Sequence, residues 1–139
     1  MGARSKARKR AVDILYEADV RKVDAVTMVS ERVGSPDVPP VNDYTVTLVE
    51  GVVTNRDRID ELLAEHSESW ALDRMPKVDL AVLRLGLYEL LWADDVPDPV
   101  AIDEAVAIAK SLSTDDSPRF VNGVLGRIAM IADQLRATR

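Results

Sequence analysis

Two stretches of the sequence carry side chains suited to holding a polyanion. The first ten residues, MGARSKARKR, contain Arg4, Lys6, Arg8, Lys9 and Arg10 and no acidic residue. Cations at this density can neutralise the phosphates of a nucleic acid. The second stretch is SPRFVNGVLGRI, residues 117–128, in which Phe120, the only phenylalanine of the chain, follows Arg119. A helix starting at Ser117 and Pro118 would place both in its first turn, where unpaired N–H groups favour phosphate. A ring beside a cation can stack an unpaired base while the charge holds the backbone. Spacing alone favours the plainer alternative, in which Phe120 packs inward with Val124.

Bond-making chemistry finds little support. There is no cysteine, and His66 is the only histidine, which leaves no thiolate nucleophile, no disulfide and no zinc ligand set. No glycine-rich phosphate loop is present. The paired acids Asp94, Asp95 and Asp115, Asp116 fall at predicted helix ends, where surface turns are their ordinary explanation. The sequence predicts a binding protein with no catalytic residue, no cofactor and no metal.

Charge is distributed unevenly. The formal net charge is −6, yet the first ten residues carry +5, so the other 129 residues, with 13 basic and 24 acidic side chains, carry −11. A basic arm on an acidic body points to an anionic ligand for the arm and a basic partner for the body; a solvated, frayed terminus is the structural alternative. No apolar run of signal-peptide or membrane-span length follows the basic start. A soluble, cytoplasmic protein with no membrane association is expected. At 139 residues the chain fits one domain, residues 1–139.

The elements that would position these residues are helices throughout. Ala7, Ala11, Ile14, Leu15 and Ala18 form one stripe of a helix over about residues 4–21, with Lys6, Lys9 and Arg10 projecting away from it. Asp24 caps a second helix ending near Gly34, and SPDVPP after it reads as a loop. A third helix begins near Asn42. Thr54 and Asp57 resemble a capping pair for a fourth, which buries Ile59, Leu62 and Leu63 and carries His66 in its last turn, where the dipole favours it. After Pro76 at a first helical position, KVDLAVLRLGLYELLWADD is apolar on nearly every face and predicts a central helix; its Asp79, Arg84 and Glu89 must find solvent, each other or a partner. Helices from Asp98 and Ser117, the latter running through Leu135, complete seven. The fold class is all-α.

RAVDILYEAD at 10–19, LVEGVVTNRDRID at 48–60, LDRMPKVDLAVLRLGLYELL at 72–91, DVPDPVAIDEAVAIAK at 95–110 and FVNGVLGRI at 120–128 together resemble the NusB family of bacterial transcription antitermination factors. The resemblance implies two small helical bundles packed across each other. It implies binding of single-stranded boxA RNA from ribosomal RNA leaders together with NusE, a small-subunit ribosomal protein, and presentation of that RNA to RNA polymerase and other Nus factors. Carried over by position, the RNA-binding residues are Arg4, Lys6, Arg8, Lys9, Arg10, Arg119 and Phe120. The partner-binding residues are Tyr16, Asp73 and Asp79, and a homodimer of the free protein is compatible. The competing expectation is a self-associating helical interaction module without specific RNA binding.

Overall fold

The apolar residues of KVDLAVLRLGLYELLW leave no face of their helix suited to water, so that helix has to be surrounded. In the computed structural model, which describes residues 2–67 and 70–139, it is. The described residues form α1 (Ala3–Arg21), α2 (Ala25–Arg32), α3 (Asp43–Thr54), α4 (Arg56–His66), a single 3-10 turn (Leu72–Arg74), α5 (Lys77–Trp92), α6 (Asp98–Leu112), α7 (Ser117–Ala129) and α8 (Ala132–Ala137), with no strand among them. α1, α2 and α3 pack on one another; α4, α6, α7 and α8 gather on α5. The result is two helical bundles, joined where α1 and α3 also pack against α5. Leu83, Leu85, Leu87, Leu90 and Leu91 of α5 are all buried, each contributing about 1.5–3 kcal/mol through removal from water.

Helix boundaries follow local chemistry. Asp24 accepts the Thr27 N–H at 3.0 Å and Asn42 accepts the Tyr44 N–H at 2.7 Å, so α2 and α3 start on side-chain caps as expected. The expected Thr54 and Asp57 capping pair does not form. Thr54 is still helical, the last residue of α3, and Asn55 alone joins the two helices. The Asn55 amide donates to the Gly51 carbonyl at 2.8 Å, so it serves the end of α3 rather than the start of α4. Pro76 sits just outside α5, at its N-cap, one residue from its expected place.

The predicted last helix is two. α7 ends at Ala129, strongly exposed Met130 marks the bend, and α8 turns back onto α5. There Arg136 donates to the Leu90 carbonyl at 2.9 Å and pairs with Asp98, while Arg139 reaches the Leu91 carbonyl and Asp94. The bend thus supplies donors to carbonyls at the C-terminal end of α5 that have no partner within their own helix. His66 ends α4, its Nδ1 2.8 Å from the Leu62 carbonyl oxygen, in the structural role expected of it.

Gly86 is a point of close approach in the second bundle. A Cβ there would lie 2.7 Å from Leu125 Cδ1 and 3.2 Å from the Ala105 Cβ. α5, α6 and α7 meet at this point with no room for a side chain. Gly86→Val should therefore cost about 1–3 kcal/mol through overpacking, read as a lower urea midpoint at unchanged slope; an unchanged midpoint would mean that the three helices are not in close contact there.

Candidate nucleic-acid interface

The basic arm is the first part of α1, and helix geometry divides its cations by direction. At 100° per residue, Lys6 and Arg10 share a face opposite Arg8, and Arg4 shares the face of Arg8. The structure follows this division. Lys6 is exposed, Lys9 and Arg10 half-buried. Lys6 and Arg10 line a shallow groove with Ala3, Ala7, Pro40, Asn42 and Thr45. The buried Nε of Arg10 has no hydrogen-bond partner among the described residues. Thr45 Oγ1 donates to the Ala7 carbonyl at 2.9 Å and holds α3 against the arm. Pro40, Asn42 and Thr45 were not expected at this site: the loop that leads to them carries no periodic pattern that would align it with α1.

Arg8 is the exception among the expected RNA-binding cations. It is 3% exposed, and its Nε donates to the two carboxylate oxygens of Glu89 at 2.8 and 3.0 Å, while its Nη1 donates to Glu104 at 3.0 Å. Glu89 also accepts from the Tyr44 hydroxyl. Burial opposes the charge of Arg8, but the hydrogen bond and charge of Glu89, with Tyr44 and Glu104, outweigh it, and the pKa rises above the usual arginine range. Burial and the Glu89 carboxylate push the Tyr44 phenol far above its ordinary value in turn. The guanidinium therefore points into the protein because a fully buried carboxylate requires a cation there, and it is not available to phosphate in this structure. Arg4 is half-exposed: it donates to Asp95 at 2.8 Å and lies 4.2 Å from the centre of the Tyr44 ring. The hydrogen bond from Arg4 holds the Asp95 carboxyl below its ordinary range.

α1 starts without a side-chain cap and without an acidic residue in its first turn. Asp95 and Glu104, from the other bundle, take up its charge instead: Arg4 pairs with the first, and Ser5 and Arg8 donate to the second. Negative charge near a helix N-terminus is favourable.

Arg119 and Phe120 occupy the first turn of α7, Arg119 exposed and Phe120 half-buried and packed against the core. Trp70, which the sequence did not mark, lies beside the ring with centroids 5.0 Å apart and planes inclined at 57°. Phe120 packs against the core on one side, and the rest of the residue remains at the surface. α6 separates this site from the arm. Glu104 near its middle touches α1, and its far end, Leu112, leads into α7; the rise of α6 between the two is roughly 12 Å.

Of the expected partner residues, Tyr16 is 38% exposed on α1, with Val20 and Val23 exposed further along the chain. Asp73 is exposed on the 3-10 turn and lines a depression with Asp19, one turn beyond Tyr16, and Asp60. Arg56 and Arg84 pair with both Asp19 and Asp60, and Lys77 with Asp19, so this cleft is of mixed charge rather than strongly acidic. Asp79 is not on that surface. It is fully buried in the first turn of α5, where it accepts from Ser113 and, at 2.8 Å, from Ser117. A carboxylate at a helix N-terminus with two hydroxyl donors is satisfied without any partner. Its effect is to fix the turn that leads into Arg119 and Phe120.

Among the described residues no group of three or more His, Asp or Glu could hold a metal ion, and no helix is long and apolar enough to cross a membrane. Two bundles sharing one central helix, with cations at the start of α1 and an aromatic pair beside the start of α7, describe a binding protein of the all-α class. The NusB family model matches residues 5–130. The transcription antitermination protein NusB of Saccharopolyspora erythraea is 77% identical over 139 residues, covering 99% of this chain and 94% of that one. Among solved structures, T. maritima NusB superposes with a TM-score of 0.84 at 32% identity over 99% of both chains. A crystal structure of antitermination factors NusB and NusE in complex with double-stranded RNA matches with a TM-score of 0.79 at 27% identity, covering 91% of this chain and 96% of that one. The chain belongs to the NusB family.

Two predictions separate inward from outward groups. Arg8→Met should cost about 3–5 kcal/mol by leaving Glu89 charged and unpaired, and the double variant Arg8→Met, Glu89→Leu should recover much of it. Urea denaturation measures both; full stability of Arg8→Met with weakened RNA binding would return Arg8 to the RNA surface. Asp79→Ala should cost about 1–3 kcal/mol and Asp79→Lys should prevent folding, both followed by thermal melting. A stably folded Asp79→Lys protein would put the carboxylate back at the surface.

Proposed function

We propose that this protein binds the boxA element of ribosomal RNA leader transcripts as a single strand, together with the NusE ribosomal protein, and presents it to RNA polymerase and the other Nus factors so that transcription passes terminators. The observation that carries this is the pair of separated sites: the surface cations Lys6, Lys9 and Arg10 of α1, with Asp13 near the last two, and an exposed Arg119 beside the Phe120 ring at the start of α7. Lys6, Lys9 and Arg10, with Arg4 once it leaves Asp95, hold the backbone at one end. Arg119 and Phe120 hold a phosphate and a base at the other. A single strand suits the ring because bases inside an A-form duplex are stacked on one another and closed to it. Arg8 and Asp79 act from inside the protein, by positioning the arm and the α7 turn.

The NusE surface on this reading runs from Tyr16, with Val20 and Val23, to Asp73. Its exposed apolar groups supply area and its mixed charges supply orientation. The same face would be covered in a homodimer of the free protein, and the whole chain would act as one RNA-binding domain in the cytoplasm.

Fluorescence anisotropy of a labelled boxA RNA, with the protein alone and with NusE, tests this against a scrambled strand and a duplex. With three or four phosphates neutralised, the slope of log affinity against log salt should be about −2 to −3, or roughly a 20- to 50-fold loss between 50 and 200 mM salt. Affinity should increase with NusE and fall for the scrambled strand and the duplex. Binding that ignores sequence and partner alike would favour a self-associating helical module instead, and a flat salt response would remove the arm from the interface.

A further inference from the structure

Trp70 lies between α4 and the 3-10 turn, outside any helical stripe, yet its position is tightly set. Its N–H donates to the Ser67 carbonyl at 3.2 Å, and the Ser67 hydroxyl donates to the Trp70 carbonyl at 2.8 Å. The guanidinium of Arg127 in α7 donates to the adjacent His66 carbonyl at 2.7 and 3.3 Å. These bonds tie the end of α4 to α7, and the indole comes to rest against Phe120.

An indole is large and seldom fully covered, and the area it leaves at the surface is what a ligand can use. Trp70 is 38% exposed, while Phe120 is the half-buried member that packs against the core. No base fits between the two rings. Their centroids are 5.0 Å apart, whereas an inserted base needs a contact distance on each side, about 7 Å in all. What the pair offers is the exposed part of each residue, with the ring planes inclined at 57°, beside the exposed cation of Arg119.

We propose that Trp70 is a second base-stacking residue, which with Phe120 forms a platform for two consecutive unpaired bases of an RNA strand, one on each inclined ring. This rests on the RNA reading of Arg119 and Phe120 and extends it. Two adjoining stacked bases, with the backbone turning between them over Arg119, require a strand that is single at this point. Indole and phenyl faces both accept any base, so the platform adds affinity and selects against duplex rather than reading sequence.

The chain has two tryptophans, and Trp92 lies at the far end of α5, stacked on Tyr88 with ring centroids 6.2 Å apart. Trp92→Phe therefore leaves Trp70 as the sole indole. Titrating this variant with boxA single-stranded RNA, with NusE present and label anisotropy recording binding, should quench Trp70 emission in step with complex formation. Trp70→Ala should lower affinity between about 5-fold and about 150-fold, Trp70→Phe should restore most of it, and the alanine effect should vanish on RNA made abasic at the stacked position. Saturable binding with unchanged Trp70 emission and wild-type affinity for Trp70→Ala would overturn the platform and leave the RNA reading standing. So would a loss that follows a lowered melting temperature and that Trp70→Phe does not repair. Absence of any anisotropy change would overturn both.

Discussion

The arrangement of the two bundles depends on one buried carboxylate. Glu89 on α5 is reached by Arg8 from α1 and by Tyr44 from α3, and Arg8 continues to Glu104 on α6. Hydrophobic contact holds helices together but is indifferent to small slides and rotations. A forked guanidinium on a carboxylate is directional. With Arg8 fixed inward, Lys6 and Arg10 are turned outward by the geometry of their helix, so the internal ion pair also sets which cations reach the surface. The same network brings Asp95 and Glu104 to the start of α1, whose own sequence offers no cap and no acidic residue in its first turn.

Much of this was legible in the sequence, for identifiable reasons. α5 was plain because its apolar residues leave no face for water, and α2 and α3 because Asp24 and Asn42 are strong caps. The joint at Asn55 was misread because a capping pattern says nothing about whether the previous helix still holds the residue, and Thr54 is still in α3. The bend at Met130 carries no glycine or proline, and the apolar spacing of Val124, Ile128 and Leu135 continues across it. The reach of Arg136 and Arg139 to the end of α5, with the burial of Ala132 and the packing of Leu135 on the core, accounts for it.

The functional residues divide the same way. Cations were identifiable as cations, but their direction depends on what lies across from them. Arg8 shares the stripe of Val12 and Leu15, a visible sign that it points inward, yet the buried acid it meets is 81 positions away. Asp79 was placed on the partner surface by family position, and its own segment left it to find solvent, Arg84, Glu89 or a partner; its two serine donors come from 34 and 38 positions further on. Trp70 gave no signal at all, since it belongs to no periodic segment and matters through a ring 50 residues away. The acidic excess of the body is likewise not concentrated at the Asp73 cleft, where Arg56, Lys77 and Arg84 offset the carboxylates.

Because α5 lines both bundles, each would lose part of its core if the other opened. Loss of α1 and α3 would expose leucines on which α6 and α7 also depend, and loss of α6 and α7 would expose the flank that supports α1. Unfolding should then be a single cooperative event rather than a sequence of local openings. A molecule folded enough to display its arm also displays its aromatic pair and its Tyr16 face, and proteolysis finds either an intact protein or a wholly accessible chain.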